Sequence, residues 1–547
     1  MDSWQARKRD LGHVSRREAL AFLGVSGAST LSGCCSLRPF VQPSIPDGGS
    51  ATAGTPFRPK VIKATGTPAF CVDVHAHFFN ASDVPVKGYL EGPVAHDMKE
   101  PLKSLVKALA PFADQLAAIA PTAPAEYAEL LALIEHPTVK SVVNPAAALQ
   151  GLVLQRQADL SSKFYDIVKG SAFEQQYNGI QGDKRVKRDP SLLGPAIEPL
   201  GMDSVGQALR QGSRPDKNKT LALRQVEADE PYAEGVLAFV GFMLSPRWMN
   251  LHEYAQAYSA SPDAFGIDHT LGALVDFDRW LDCAPRSAHD DQVKLHQLLS
   301  RLSGGYMRPL VAYNPWTDVA QGGKATERVV DAVTKRGFVG VKIYPPNGFR
   351  PYGNTASPIV STSGAPSAAD LDAALKKFWD VCVDLKVPVM AHTGETMGSD
   401  DAHDTLGGPP GWGALFDLYR GRQAPLANAG HFGGDEATNA WTGLFAELMA
   451  KPEGATLYGD LGYWSNLRCS NPARAECTAS QDRLRAALKL AGVPKRVMYG
   501  SDWLMLSRER DWAMYPHDIA TATKDLLAAE NLFGLNAKEC FGWRLTA

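Results

Sequence analysis

Apolar and polar positions along this 547-residue chain follow two rhythms. From about residue 270 onward, short β-branched runs alternate with stretches whose apolar residues have helical spacing, which is how strands followed by helices read. Strands are expected at 273–277, 309–313, 339–344, 387–392, 426–431, 456–461 and 496–502. Helices are expected at 292–302, 326–336, 369–385, 412–419, 438–449, 481–491 and 519–530. Residues 70–75 supply an eighth strand earlier in the chain. Eight alternating units predict an α/β fold, a closed parallel (β/α)8 barrel of the TIM type, over residues 70–547. Between the first two strands, 102–119, 125–134, 149–168 and 233–258 also have helical spacing. Residues 80–265 therefore read as a large helical insert in the first βα loop. That loop opens on the C-terminal face, where barrel active sites sit, so the insert is either a lid or an outer packing layer. Residues 350–367 are rich in Ser, Gly and Pro and read as a loop after the fourth strand.

The N-terminus follows another logic. Arg7, Lys8, Arg9, Arg16 and Arg17 precede a mildly apolar run from Ala19 to Leu31, too short to span a membrane. Charge, apolar run and small residues in that order form a secretory signal. Arg16-Arg17 resembles a twin-arginine signal, whose substrates cross folded, and Leu31-Ser32-Gly33-Cys34 resembles a bacterial lipobox. Residues 1–33 are then a signal peptide and Cys34 a lipidated first residue. The protein would be exported to the periplasmic side or the cell surface, touching the membrane only through its anchor. Residues 34–69, with their many prolines and glycines, read as a solvated tether.

Composition narrows the class. Hydrophobic residues make up 45% and charged residues 21%, the balance of a globular chain. A formal charge of −3 gives no electrostatic case for nucleic acid. No run of about 18 apolar residues marks a polytopic membrane protein. Of eight cysteines, Cys469 and Cys477 share a polar loop and could close a disulfide after export. Cys71, Cys382 and Cys540 sit in apolar elements as packing residues.

Candidate chemistry lies at the strand ends. His75 and His77 end the first strand at i and i+2, on one face, so both can bind the same divalent ion. His392 ends the fifth strand, His431 the sixth and Asp502 the eighth, while Lys342 lies in the fourth. A barrel gathers these ends around one axis. Trp316, Tyr344, Arg350, Trp464 and Trp503 lie on or just after strands. An aromatic mouth with one Arg suits a carboxylated or ring-bearing small molecule, although the same aromatics could instead pack against the insert. Glu395 and His403 follow the fifth strand as candidate supporting groups.

Asp73-Val74-His75-Ala76-His77, His392-Thr393-Gly394-Glu395, Ala429-Gly430-His431-Phe432-Gly433 and Gly500-Ser501-Asp502-Trp503, with Asn536-Ala537-Lys538-Glu539 near the end, form an ordered set. It resembles the amidohydrolase superfamily, and more closely its amidohydrolase-related branch, which includes aminocarboxymuconate-semialdehyde decarboxylase-like enzymes. The resemblance covers residues 70–80 and 270–547. It implies metal ligands at His75, His77, His392 and Asp502, and a catalytic acid/base or transition-state stabiliser at His431. Asp502 would also take a proton from the metal-activated water. Mixed His and carboxylate ligands favour zinc, with manganese and iron as alternatives. The stretch around Lys342 resembles dihydroorotase-like members, where a lysine carbamate bridges two metals. One ion is therefore expected, or two if Lys342 is carbamylated. Otherwise its ammonium binds a substrate anion or pairs with an acid.

Three functions follow. The favoured one is a metal-dependent hydrolase of a C–N or C–O bond in a small molecule, such as an amide, cyclic amide or lactone. The alternatives are a metal-dependent decarboxylase of a small carboxylic acid and a non-enzymatic, surface-anchored binding lipoprotein.

Overall fold

The computed structural model describes residues 57–91, 102–135, 145–187, 233–278, 281, 284–356, 366–394, 401–435, 441–468, 475–509 and 511–545. Eight parallel strands pair in chain order: β1 Val72–Ala76, β2 His269–Ala273, β3 Met307–Tyr313, β4 Gly340–Ile343, β5 Val389–His392, β6 Ala427–Gly430, β7 Leu457–Asp460 and β8 Val497–Met498. The ring closes where the chain beyond β8 meets β1. Val74 N donates to Tyr499 O at 3.1 Å, Asp502 N donates to His75 O at 2.7 Å, and Trp503 bridges Ala76 in parallel. The expected (β/α)8 barrel is the observed fold.

Two strands differ from their expected places: β8 is only Val497–Met498 rather than 496–502, so Asp502 lies in the loop beyond it. β2 is His269–Ala273 rather than 273–277. Its pairing with β3 needs a small residue at Gly272, where a Cβ would lie 2.9 Å from the Met307 sulfur and 3.0 Å from the Phe78 ring. Asp276 and Phe277 thus belong to the loop beyond β2.

Valines 72 and 74 join Leu271, Leu310, Met390 and Met498 in an inner core, closed at one end by Ala537, Cys540 and Phe541 from the C-terminal helix. The β1–β2 register then slips: Asp73 opposes Thr270, but Ala76 opposes Gly272. A bulge of this kind re-aims the side chains after it. Val74 lies in the inner core, yet His75 and His77 still reach one carboxylate, as the next section describes.

The described residues between β1 and β2 are mostly helical, as expected, and two of the expected helices are broken. Instead of one helix over 102–119 there are α1 Leu102–Lys107 and α2 Ala113–Ile119, parted by a short turn that contains Pro111. Instead of one over 233–258 there are α3 Ala233–Leu244 and α4 Arg247–Ala255, parted at Pro246, which cannot continue a helix from within. Arg247 is wholly buried. Its Nε donates to Asp83 Oδ2 at 2.8 Å, its Nη1 to Glu126 Oε2 at 2.8 Å and its Nη2 to Ser82 Oγ at 2.9 Å. This cluster ties α4 to the loop after β1. Phe242 of α3 and Tyr254 of α4 pack on Trp503, with ring centroids 5.1 and 5.5 Å away.

The far end of the expected tether is part of the folded body. Phe57 is buried and stacks near Trp248, Ile62 N donates to Ser259 O at 2.6 Å, and Lys63 Nζ pairs with Asp268 at 2.5 Å. Phe57, Ile62 and Lys63 carry that docking, despite the Pro/Gly-rich composition around them. No described helix is long and apolar enough to cross a membrane. Cys71, Cys382 and Cys540 are buried free thiols. Cys477 is disulfide-bonded, while Cys469, Cys34 and the expected signal peptide lie outside the described residues.

Candidate metal centre

Each polar strand end turns its side chain toward the barrel axis. His75 Nε2 lies 3.5 Å and His77 Nε2 3.3 Å from Asp502 Oδ1. Ligand atoms of His75, His77 and Asp502 all lie within 4.8 Å of one another, a spacing that could hold a metal ion. Asp502 adopts φ +53°, an uncommon left-handed conformation for a residue other than glycine, and this turn places its carboxylate just beyond β8.

Each imidazole is oriented by a bond at its other nitrogen. His75 Nδ1 donates to Asp460 Oδ1 at 3.1 Å, and His77 Nδ1 donates to Ala273 O at 2.9 Å. Both rings therefore carry a lone pair at Nε2. His431 Nδ1 donates to Gly462 O at 2.8 Å, which leaves His431 Nε2 as an acceptor. His392 Nδ1 lies 2.9 Å from that atom and donates to it. His392 is left with a free lone pair at Nε2, a buried atom without a hydrogen-bond partner. A buried polar atom in that state costs stability unless something binds it. Three imidazole Nε2 atoms and one carboxylate are the donor set that a borderline-soft divalent ion takes.

Burial favours the neutral form of three imidazoles, His75, His392 and His431. Burial, with the Lys342 ammonium nearby, pushes His75 down to about 3. Burial and the surrounding imidazoles hold His392 well below its ordinary value, and His431 is lowered chiefly by burial. Burial alone would raise Asp502, but the imidazoles of His77, His431 and His75 around it outweigh that, so its carboxyl stays below the usual range.

Lys342 Nζ lies 3.0 Å from His75 Nε2, at 1% exposure, and burial pushes it down to about 8. Of the residues expected at the site, His75, His77 and Asp502 form the tight group, with Lys342 against His75. His392 and His431 stand beside them as a bonded pair, their ring centroids 4.3 Å apart. Tyr344 packs edge-on against His392 at 5.2 Å, and Phe277 against Tyr344 at 5.7 Å, so an aromatic wall flanks the pair. Trp464 and Trp503 are wholly buried and pack inward, Trp464 donating to His431 O at 2.7 Å. Trp316 and His403 flank Gly348 at the loop after β4. Glu395 lies outside the described residues.

Sequence reasoning passed over Asp460. It ends β7 as His392 ends β5, so the strand-end rule that selected the other residues also points to it.

Residues 307–543 match the family described as Amidohydrolase. This stretch belongs to the amidohydrolase family. The resemblance read from the motifs is borne out there, and the barrel brings His75 and His77 of β1, outside the matched stretch, to the same site. No curated protein matches the chain. Among solved structures, a probable 2-pyrone-4,6-dicarboxylic acid hydrolase from Acinetobacter baumannii with citric acid bound is 12% identical, covering 50% of this chain and 84% of its own, at a TM-score of 0.33. An amidohydrolase from Burkholderia multivorans with bound zinc is 14% identical, covering 50% and 83%, at 0.33. A 2,6-dihydroxybenzoate decarboxylase from Rhizobium is 15% identical, covering 53% and 86%, at 0.31. Likenesses this distant carry no information on the reaction.

Proposed function

We propose that this amidohydrolase-family protein is a metal-dependent hydrolase of a C–N or C–O bond in a small molecule, such as an amide, cyclic amide or lactone. The observation that carries the reading is the set of three imidazoles held at Nδ1 so that Nε2 faces the site, that of His392 without a partner and that of His75 met by Lys342, beside an ionised Asp502. His75, His77, His392 and Asp502 would hold one divalent ion, with zinc favoured by the donor set. Such an ion supplies Lewis acidity, which acidifies water and polarises a carbonyl. Asp502, kept as a carboxylate, takes the proton of the attacking water. His431, fixed at its backbone and at Nδ1, has no proton at Nε2 at rest; it takes there, once His392 turns its Nδ1 proton away, the proton that Asp502 receives from the water, and passes it to the departing nitrogen or oxygen. The aromatic wall of Tyr344 and Phe277 would seat an unsaturated or ring-bearing part of the substrate. Lys342 stands as an ammonium at the inner edge of the site in this reading. The lipobox-like Cys34 and the signal before it support export and lipid anchoring.

The test is a screen of amides, cyclic amides, lactones and small carboxylic acids with zinc-loaded protein, following both hydrolysis product and carbon dioxide. Hydrolysis that disappears in Asp502→Asn is the expected result. Carbon dioxide release without water addition would replace this reading with a decarboxylase.

A further inference from the structure

We propose that Asp460 is a positioning residue whose single carboxylate sets both His75 as a metal-binding imidazole and the turn that carries His431. The inference rests on the metal-dependent reading above and assigns Asp460 no contact with substrate.

Asp460 is wholly buried at the end of β7. Its Oδ1 accepts three N–H groups: His75 Nδ1 at 3.1 Å, His431 N at 3.1 Å and Gly462 N at 2.9 Å. Its Oδ2 accepts Asn428 Nδ2 at 2.7 Å. The carboxylate therefore joins β1, β6 and β7 at one point. A Cβ on Gly462 or on Gly500 would come 2.9 Å from Oδ1, so backbone encloses that oxygen closely.

Two consequences follow from that encasement. The charged acceptor fixes the His75 tautomer with its proton on Nδ1 and makes Nε2 a better donor to a metal. His431 and Phe432 sit at φ +70° and +45°, conformations that side-chain-bearing residues avoid and that persist only where surroundings hold them. The His431 N–H bond to Asp460 secures the first of these. Gly462, held by the same oxygen, presents the carbonyl that accepts His431 Nδ1. Asp460 thus fixes the backbone of His431 directly and its ring through one intermediary.

An amide at position 460 cannot reproduce this. It keeps one acceptor oxygen for the three N–H donors, but an uncharged one, and its NH2 group faces Asn428, whose amide must turn to present Oδ1. Exchanging the pair, Asn428→Asp with Asp460→Asn, keeps one carboxylate and one amide in the same space but moves the charge away from His75.

The experiment measures zinc affinity by chelator competition on Asp460→Asn, the exchanged double variant and Asn428→Ala, with circular dichroism as the check on folding. Asp460→Asn is expected to bind zinc about 10- to 100-fold more weakly than wild type, the usual effect of removing such a partner. The double variant should be equally weak while folded, and Asn428→Ala should stay near wild type. A purely structural role would lower stability but leave zinc affinity of the folded protein unchanged. Wild-type zinc affinity in folded Asp460→Asn, or in the exchanged variant where the single one does not fold, overturns the inference and leaves the metal-dependent reading standing. Wild-type protein that binds no zinc overturns both.

Discussion

Three imidazoles at the barrel mouth are each steered from their far side: His75 by a carboxylate, His77 by a main-chain carbonyl and His392 by another imidazole. This leaves Asp502 as the one ionised group that can both touch a metal and receive a proton. Asp502→Asn should retain much of the metal through the three histidines yet lose turnover by ~100- to 10,000-fold, the usual contribution of a positioned acid or base. His431→Asn should keep the metal and lose activity by a comparable factor. If two ions were present, with His431 a ligand, that variant and Lys342→Ala would each drop the ion count toward one. Metal content and rate measured together on the three variants separate these cases. His75, His77, His392, His431 and Asp502 were legible in the sequence because each ends an apolar run, where a polar residue has no packing reason to be. Asp460 ends such a run too, but its role depends on His75, 385 positions away, and no local pattern carries that pairing.

The elements were legible where apolar runs were long and bounded. Strands β3 to β7 lie within two residues of their expected ends, since each run is flanked by a turn or a helix start. β2 was misplaced by four residues because Val275 and Phe277 extend the apolar run past the last bond to β3, which Leu274 N makes to Leu310 O, into the loop. The bulge in β1 has no sequence signature, although it sets which face His75 and His77 share. In the insert, Pro246 broke a helix that apolar spacing alone had joined, and α4 starts there with the buried Arg247. That arginine neutralises two carboxylates out of reach of water, so Arg247→Met should strand Asp83 and Glu126. Loss of one partner from such a buried cluster costs about 3–5 kcal/mol. Urea unfolding should show that loss, and a change below ~1 kcal/mol, the range of an exposed pair, would mean the cluster does not anchor the insert.

At the scale of the molecule, composition and rhythm were enough for the barrel, and the match over residues 307–543 places that part in a family. The insert packs Phe242 and Tyr254 against Trp503, next to Asp502, so it braces the loop of a candidate ligand. The N-terminal reading is tested separately. Mass spectrometry of membrane-extracted protein should find Cys34 as a lipidated first residue, and an exported form with intact Met1 would count against the lipobox. The central claim is one divalent ion held by His75, His77, His392 and Asp502. Anomalous diffraction at the zinc edge, on crystals of zinc-loaded full-length protein, locates and counts the ions in a single experiment. One peak, about 2.0–2.1 Å from the three imidazole Nε2 atoms and against the Asp502 carboxylate, is the predicted result. No peak among these residues, or two peaks bridged by a carbamylated Lys342 with the second held by His392 and His431, would contradict it.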